Sequence, residues 1–185
     1  LITVGFFTNL AGLIASQPDE ISELNGLELV KKKVKRMISM GGDFPVGKEY
    51  NYNLFVDSVA AYTVFSKWPT PVTFSGFKIG YEIVTGKHLI AMDVDNSPVK
   101  DAYAIAMRAD TAGRYSWDQT TVLVGARGYN PYFDVVKGTI TVYPDASNTW
   151  ENDVDGMHEY LTFKMPKDEL TKVIEDLMMH QPMKK

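Results

Sequence analysis

The chain opens on an apolar run, Leu1 to Phe6, with only the small residues Thr3 and Gly5 inside it. A run without polar alternation predicts a parallel strand covered on both faces. Thr8 and Asn9 stand where an N-cap belongs, ahead of an apolar helix from Leu10 to Ala15 that Gln17-Pro18-Asp19 breaks. Gly26 precedes a second helical segment ending in Lys31-Lys32-Lys33-Val34-Lys35-Arg36. Cations suit the carbonyl end of a helix, so this run reads as a solvated face rather than an anion site.

Arg36 to Met40 predicts a second strand, stopped by Gly41-Gly42, and the unpatterned stretch from Asp43 to Asn53 predicts a loop at its carboxyl end. Ser58 to Trp68 has helical spacing through Val59, Tyr62, Val64 and Phe65, and ends at Pro69. Pro71 to Phe77 reads as a third strand with a β-branched and aromatic heart. Pro98 opens a helix running to about Asp110, and another starts at Trp117 or Asp118 and ends by Gly128. Tyr132 to Val136 and Thr139 to Tyr143 flank Lys137-Gly138 and predict a β-hairpin. Met157 to Met165 follows as a strand, and Lys167 to Met179 as a closing helix after Pro166.

This order predicts an open, mainly parallel twisted α/β sheet flanked by helices, with a C-terminal β-hairpin and closing helix, in one domain over residues 1–185. Ligands of such sheets collect at the carboxyl ends of the strands. Those ends are Gly5 to Asn9, Met40 to Asn53 and Ser75 to Gly80.

Composition narrows the function. The 185 residues carry 19 basic and 23 acidic side chains, a net charge of −4. Neither half is a polycation, which argues against a nucleic-acid partner or an anionic membrane surface. No apolar run approaches the roughly 20 residues of a bilayer span. The absence of cysteine excludes a disulfide scaffold, a thiolate metal site and a cysteine nucleophile, and leaves the compartment open. The chain shows no basic leader and begins without methionine inside an apolar run, so it reads as cut from something longer.

The common chemical signatures are missing. Gly41-Gly42 lacks the setting of a dinucleotide fingerprint, and no lysine follows a glycine run as in a P-loop. His88, His158 and His180 lie in separate elements and read as structural or surface residues. Asp93-Val94-Asp95-Asn96-Ser97 resembles the start of a calcium loop, but Pro98 stands where a glycine must turn the chain and Ala104 where a glutamate must close it. Asp153 and Asp155 before Gly156 read as a turn. Two polar clusters remain. Glu49-Tyr50-Asn51-Tyr52-Asn53 suits either turn chemistry or sugar hydroxyls, which amides and carboxylates hold as donors and acceptors. Asp118, after Ser116-Trp117, is either a helix cap or a site residue.

Taken in order, several motifs resemble one family, the calcium-dependent nucleoside hydrolases of the inosine-uridine-preferring type. Thr3-Val4-Gly5-Phe6-Phe7-Thr8-Asn9-Leu10-Ala11 resembles its strand ending in a Leu-Thr-Asn-Ile-Ala-like turn, and Met40-Gly41-Gly42 its Met-Gly-Gly. The stretch to Asn53-Leu54-Phe55-Val56-Asp57 is similar to its Glu-Phe-Asn followed by an aspartate, as Trp68-Pro69-Thr70-Pro71 and Phe74-Ser75-Gly76 are to further segments. Ser116-Trp117-Asp118-Gln119 stands where the family has His-Asp-Pro.

The resemblance implies hydrolysis of a ribonucleoside N-glycosidic bond by calcium-activated water. It implies calcium ligation by the Val4 carbonyl and the Asp118 carboxylate, with Met40 lining the sugar. Asn53 would hold the ribose when the motifs are aligned on Asp57, which puts Asn51 in the place of the family's glutamate. Alignment on Glu49-Tyr50-Asn51 keeps Glu49 in play instead. Trp117 takes the place of a histidine that assists base departure; tryptophan cannot protonate a base, though it stacks on one. The family's Asp-x-Asp-x-x-x-Asp-Asp cluster, source of the general base and most calcium ligands, has no match here, so the catalytic residues would lie upstream. The chain then corresponds to the C-terminal portion of a longer domain, expected to associate with the missing segment or with itself and to be inactive alone. The competing expectation is a non-catalytic ribose- or nucleoside-binding module of the same fold.

Overall fold

The computed structural model describes residues 1–48, 51–107 and 112–181. In chain order the elements are β1 (Ile2–Thr3), α1 (Thr8–Ala15), α2 (Gly26–Lys33), β2 (Met37–Met40), β3 (Val46–Gly47), α3 (Tyr52–Phe55), α4 (Ser58–Lys67), β4 (Val72–Ser75) and α5 (Phe77–Tyr81). Then come β5 (Val84–Thr85), α6 (Lys87–Ala91), α7 (Pro98–Met107), β6 (Arg114–Tyr115), α8 (Trp117–Arg127), β7 (Phe133–Val142), β8 (Asn148–Asn152), β9 (His158–Phe163) and α9 (Lys167–Met178).

The main sheet has the order β1-β2-β4-β9-β7-β8-β3. Pairing is parallel from β1 through β9 and antiparallel from β9 to β7, β8 and β3. This is the mixed α/β architecture that the order of elements predicted. All four residues of β2 and of β4 are buried, as a strand sandwiched between helices must be. Alternation sorts their side chains onto two faces. Met37, Val72 and Phe74 join Phe7, Leu10, Val30, Val64 and Phe65 under α1, α2 and α4. Ile38 points the other way, into the cluster of Ile79, Leu123, Val124, Phe133, Leu170 and Ile174 under α5, α8 and α9.

Local chemistry sets several helix ends. Asn25 closes a capping box with Glu28 at the start of α2, and the cations of its last turn sit at the solvated carbonyl end, as the sequence suggested. The α4 N-cap is Asp57, which accepts from the Ala60 N–H and, through its other oxygen, from the Thr8 hydroxyl at 2.7 Å. Those two bonds hold the Asp57 carboxyl below its usual range, the Thr8 bond most. Thr8 is therefore no cap: α1 begins at Thr8, one turn-length contact ties it to α4, and Asn9 bonds only its own neighbour, Leu10 N–H.

Two of the predicted strands also need correction. Leu1 to Phe6 is not a strand buried on both faces: β1 spans Ile2–Thr3 at the sheet edge, and Leu1, Ile2, Val4 and Phe6 are all exposed. An apolar run signals a demand for cover without saying what meets it, and among the described residues only one flank of β1 is paired, with β2. The second correction is the hairpin. Lys137-Gly138 does not turn; it lies within β7, and the turn comes after Val142, where Tyr143 N–H bonds Ser147 C=O at 2.9 Å. Gly138 is needed for close approach, because a Cβ there would overlap the Glu151 carbonyl and the Trp150 ring.

One buried group makes this fold sensitive to acid. His158, 7% exposed, uses Nδ1 to accept the Ile140 N–H at 3.3 Å and packs edge-on to Phe74. Burial lowers its pKa to about 4. An unfolded histidine near 6.5 binds protons that the folded one refuses, so stability contributed by neutral His158 is complete above about pH 6.5 and declines as pH falls toward 4. Urea unfolding between pH 7 and 4 is expected to show a loss of up to about 3 kcal/mol from this residue, flattening below pH 4. His158→Gln should remove most of the slope in that window.

Candidate functional site

The parallel strands point their carboxyl ends at one rim, and a cavity of about 470 Å³ opens there. Val4, Gly5 and Phe6 line it from the end of β1, Met40 from the end of β2, and Asn51, Tyr52 and Asn53 from the start of α3. Phe77 comes from α5, and Arg114, Trp117 and Asp118 from β6 and the first turn of α8. A larger cavity of about 550 Å³, lined by Trp68, Asp153 and His158 among others, opens by the amino ends of β4 and β9. We assign the site to the smaller one, because it lies at the strand ends where α/β sheets hold ligands and collects converging polar groups.

Every site residue named from sequence lines this cavity except Glu49, which lies outside the described residues. The two asparagines are fastened to β2. Asn53 Nδ2 donates to the Met40 carbonyl at 2.9 Å and approaches Met40 Sδ at 3.1 Å. Asn51 Nδ2 donates to the Gly42 carbonyl at 3.0 Å. Asn51 Oδ1 is buried without a donor, one of two such side-chain atoms among the described residues; Ser39 Oγ is the other. A buried acceptor left unmatched costs about 1–3 kcal/mol, and it is met when a ligand hydroxyl reaches it.

Asp118 sits in the first turn of α8, where a carboxylate suits the helix dipole. It is not the cap; Ser116 holds that position, its hydroxyl paired with Thr85 at 2.7 Å. Desolvation raises the Asp118 pKa, and the Arg114 guanidinium opposes the rise. The Trp117 indole N–H is committed to the Phe77 carbonyl at 3.0 Å, so this ring presents its surface rather than a donor. Phe77 and Trp117 lie 5.5 Å apart and extend through Tyr81 and Tyr115 as one aromatic wall. Phe6 and Tyr52, at 5.7 Å, form another.

Gly5, Phe6, Tyr52, Phe77 and Arg114 were not among the residues singled out from sequence. Phe6 and Phe77 stand in the predicted strand-end segments, which was the available signal. Arg114 carried none, because β6 is two residues long and reaches the cavity only through its pairing with β5, Thr85 opposite Arg114. That excursion is pinned from α9: the buried Glu175 accepts from Gly86 N–H at 2.9 Å, His88 N–H at 3.1 Å and His88 Nδ1 at 2.6 Å.

The calcium ion implied by the motifs can be tested against these groups. Val4 and Asp118 do share the cavity, but they offer two ligands where calcium takes six to eight oxygens. No group of three or more His, Asp or Glu able to hold a metal occurs among the described residues, and Arg114 faces Asp118. The described residues alone do not fit the ion.

The architecture is similar to that of several solved nucleoside hydrolases. A plant nucleoside hydrolase superposes with a TM-score of 0.69 at 18% identity, over 97% of this chain and 62% of that one. The inosine-uridine preferring nucleoside hydrolase of Bacillus anthracis gives 0.61 at 16%, over 97% and 59%. The purine-preferring ribonucleoside hydrolase of Gardnerella vaginalis gives 0.62 at 18%, over 97% and 61%. The likeness at these identities is one of fold, and the chain spans about three-fifths of the length of the structures it matches. No family model matches the chain, and no curated protein does.

The approach of α5 to α8, which builds the aromatic wall, depends on Gly80. A Cβ there would overlap the Trp117 backbone. Gly80→Ala is expected to push the helices apart, destabilise the protein by roughly 1–3 kcal/mol and shift tryptophan emission to the red. Unchanged emission and stability would show that the wall tolerates the gap.

Proposed function

We propose that this chain forms the ribosyl-binding side of a nucleoside N-ribohydrolase, which converts a ribonucleoside and water to free base and ribose. The observation that carries the reading is the convergence of Asn51, Asn53 and Asp118 on one cavity, with the side-chain oxygen Asn51 Oδ1 lacking a donor among the described residues. Sugar hydroxyls are both donors and acceptors, and this set of amides and a carboxylate suits them. The likeness of fold to nucleoside hydrolases supports the same reading.

Asn51 and Asn53, fastened to β2, orient the ribose, and Met40 packs beneath it. Asp118, whose pKa desolvation raises against the opposing charge of Arg114, accepts a sugar hydroxyl and in its ionised form favours positive charge developing on the sugar as the glycosidic bond lengthens. The base lies against Phe77 and Trp117. Trp117 supplies stacking and no proton, its N–H being committed to Phe77. A calcium ion would supply activation of the attacking water when bound. Asp118 and the Val4 carbonyl would contribute to it only beside oxygen ligands from outside the described residues. A general base would likewise come from outside the described residues, and hydrolysis is complete only where one is supplied.

A second reading has a specific observation in its favour. Arg114 already puts a cation beside Asp118, which suits a non-catalytic ribose- or nucleoside-binding module.

Calorimetric titration with ribose and inosine, with and without calcium, paired with an assay for released base, separates these readings. Ribose binding weakened about tenfold by Asp118→Asn and by Asn51→Ala, some 1.4 kcal/mol each, is expected on either. Base release supports the hydrolase. Binding without release under all conditions supports the module, and no binding of either ligand removes the cavity from consideration.

A further inference from the structure

The ribosyl cavity does not end at Asn51. A second hollow of about 320 Å³ adjoins it, sharing Asn51 and Phe77 as common wall and lined otherwise by Asp43, Val46, Lys48 and Lys78. Lys48 follows β3 and Lys78 stands in α5, so two segments about 30 residues apart each bring a lysine to one annex. Both side chains are exposed, and neither makes an ion pair or a hydrogen bond with the described residues.

Among the described residues the acids nearby leave an excess of cations. Asp43 lines the annex with one oxygen accepting the Phe44 N–H at 3.0 Å. Glu82, which shares a neighbouring cleft with Lys78, is paired with Lys167. Arg114 adds a third cation on the ribosyl side, opposite Asp118. An uncharged ribonucleoside gives two unpaired lysines nothing to meet. A phosphate ester carries about −1.5 to −2 charges at neutral pH, and lysine serves such groups as a point charge.

We propose that the annex is a phosphate subsite and that the preferred substrate class is a phosphorylated ribonucleoside, such as a nucleoside monophosphate, whose hydrolysis by water gives free base and ribose 5-phosphate. The proposal rests on the ribosyl reading of the main cavity. With the sugar against Asn51, a phosphate on it enters the annex between Lys48 and Lys78, and Phe77 separates it from the base.

Calorimetry of the purified chain with ribose, ribose 5-phosphate and inorganic phosphate tests this. Ribose 5-phosphate is expected to bind at least tenfold more tightly than ribose, with the advantage shrinking as salt is raised from 20 to 300 mM, since exposed charges are screened over a Debye length of about 8 Å at 0.15 M. The double variant Lys48→Ala/Lys78→Ala should lose that advantage and keep the affinity for ribose, with an unchanged circular dichroism spectrum. Lys48→Arg/Lys78→Arg should retain it. Equal affinities for ribose and ribose 5-phosphate, or a gain that survives removal of both lysines, overturn the subsite and leave the ribosyl reading standing. Inorganic phosphate binding as tightly as ribose 5-phosphate also overturns it, since the annex would then be independent of the sugar. If neither sugar binds, the ribosyl reading itself fails, and the subsite with it.

Discussion

Met37–Met40 and Val72–Ser75 run side by side in parallel with every side chain buried, and such a pair is stable only when helices cover both of its faces. Each face then needs its own apolar layer. One is supplied by α1, α2 and α4 around Phe7, Phe65 and Phe74, the other by α5, α8 and α9 around Ile79, Leu123 and Ile174. Parallel strands also require each connection to cross back over the sheet, so all the strand-to-helix turns fall at one rim. The cavity is a consequence of that geometry. Turns leaving β1, β2 and β4 meet there without any one segment having to build a pocket.

Within the rim, polar groups are held by bonds to backbone rather than to one another. Asn53 and Asn51 are fixed to the carbonyls of Met40 and Gly42, the two carbonyls at which β2 gives out. This leaves their amide oxygens for something else, and one of them is buried with no donor. Opposite stands α8, anchored to the sheet by the Ser75–Thr120 hydroxyl pair at 3.0 Å and to β5 by Thr85–Ser116. The wall that carries Trp117 and Asp118 is thus tied to both strands and excursion. Glu175 extends the tie to α9, its carboxyl held below the usual range by its hydrogen bonds to His88 and Gly86, against the opposing effect of burial.

The charge distribution is the least expected feature of the rim. Asp118 faces a guanidinium, and two lysines that pair with none of the described residues line the adjoining hollow beside Asp43. In a chain of net charge −4 this local excess of cations cannot be inferred from composition. It arises because β3, α5 and β6, all short, converge on one end of the sheet. The same charges that disfavour a bare metal ion favour an anion, and they bear on which ligands the site admits.

The order of the main strands and helices and the strand-end rim were legible in the sequence, because periodicity and apolar runs are local records of burial. Val4, Met40, Asn51, Asn53, Trp117 and Asp118, named from the motifs that contain them, do line one cavity. What lay beyond reach was decided by contacts distant in sequence. Gly138 stays in a strand because Trp150 and Glu151 lie against it rather than because its own neighbours say so. Arg114, Lys48 and Lys78 become neighbours of the site only once strand pairing and helix packing have set the ends of β3, α5 and β6 together. A sequence records how each segment prefers to lie; which charges face one another is settled by the sheet that joins them.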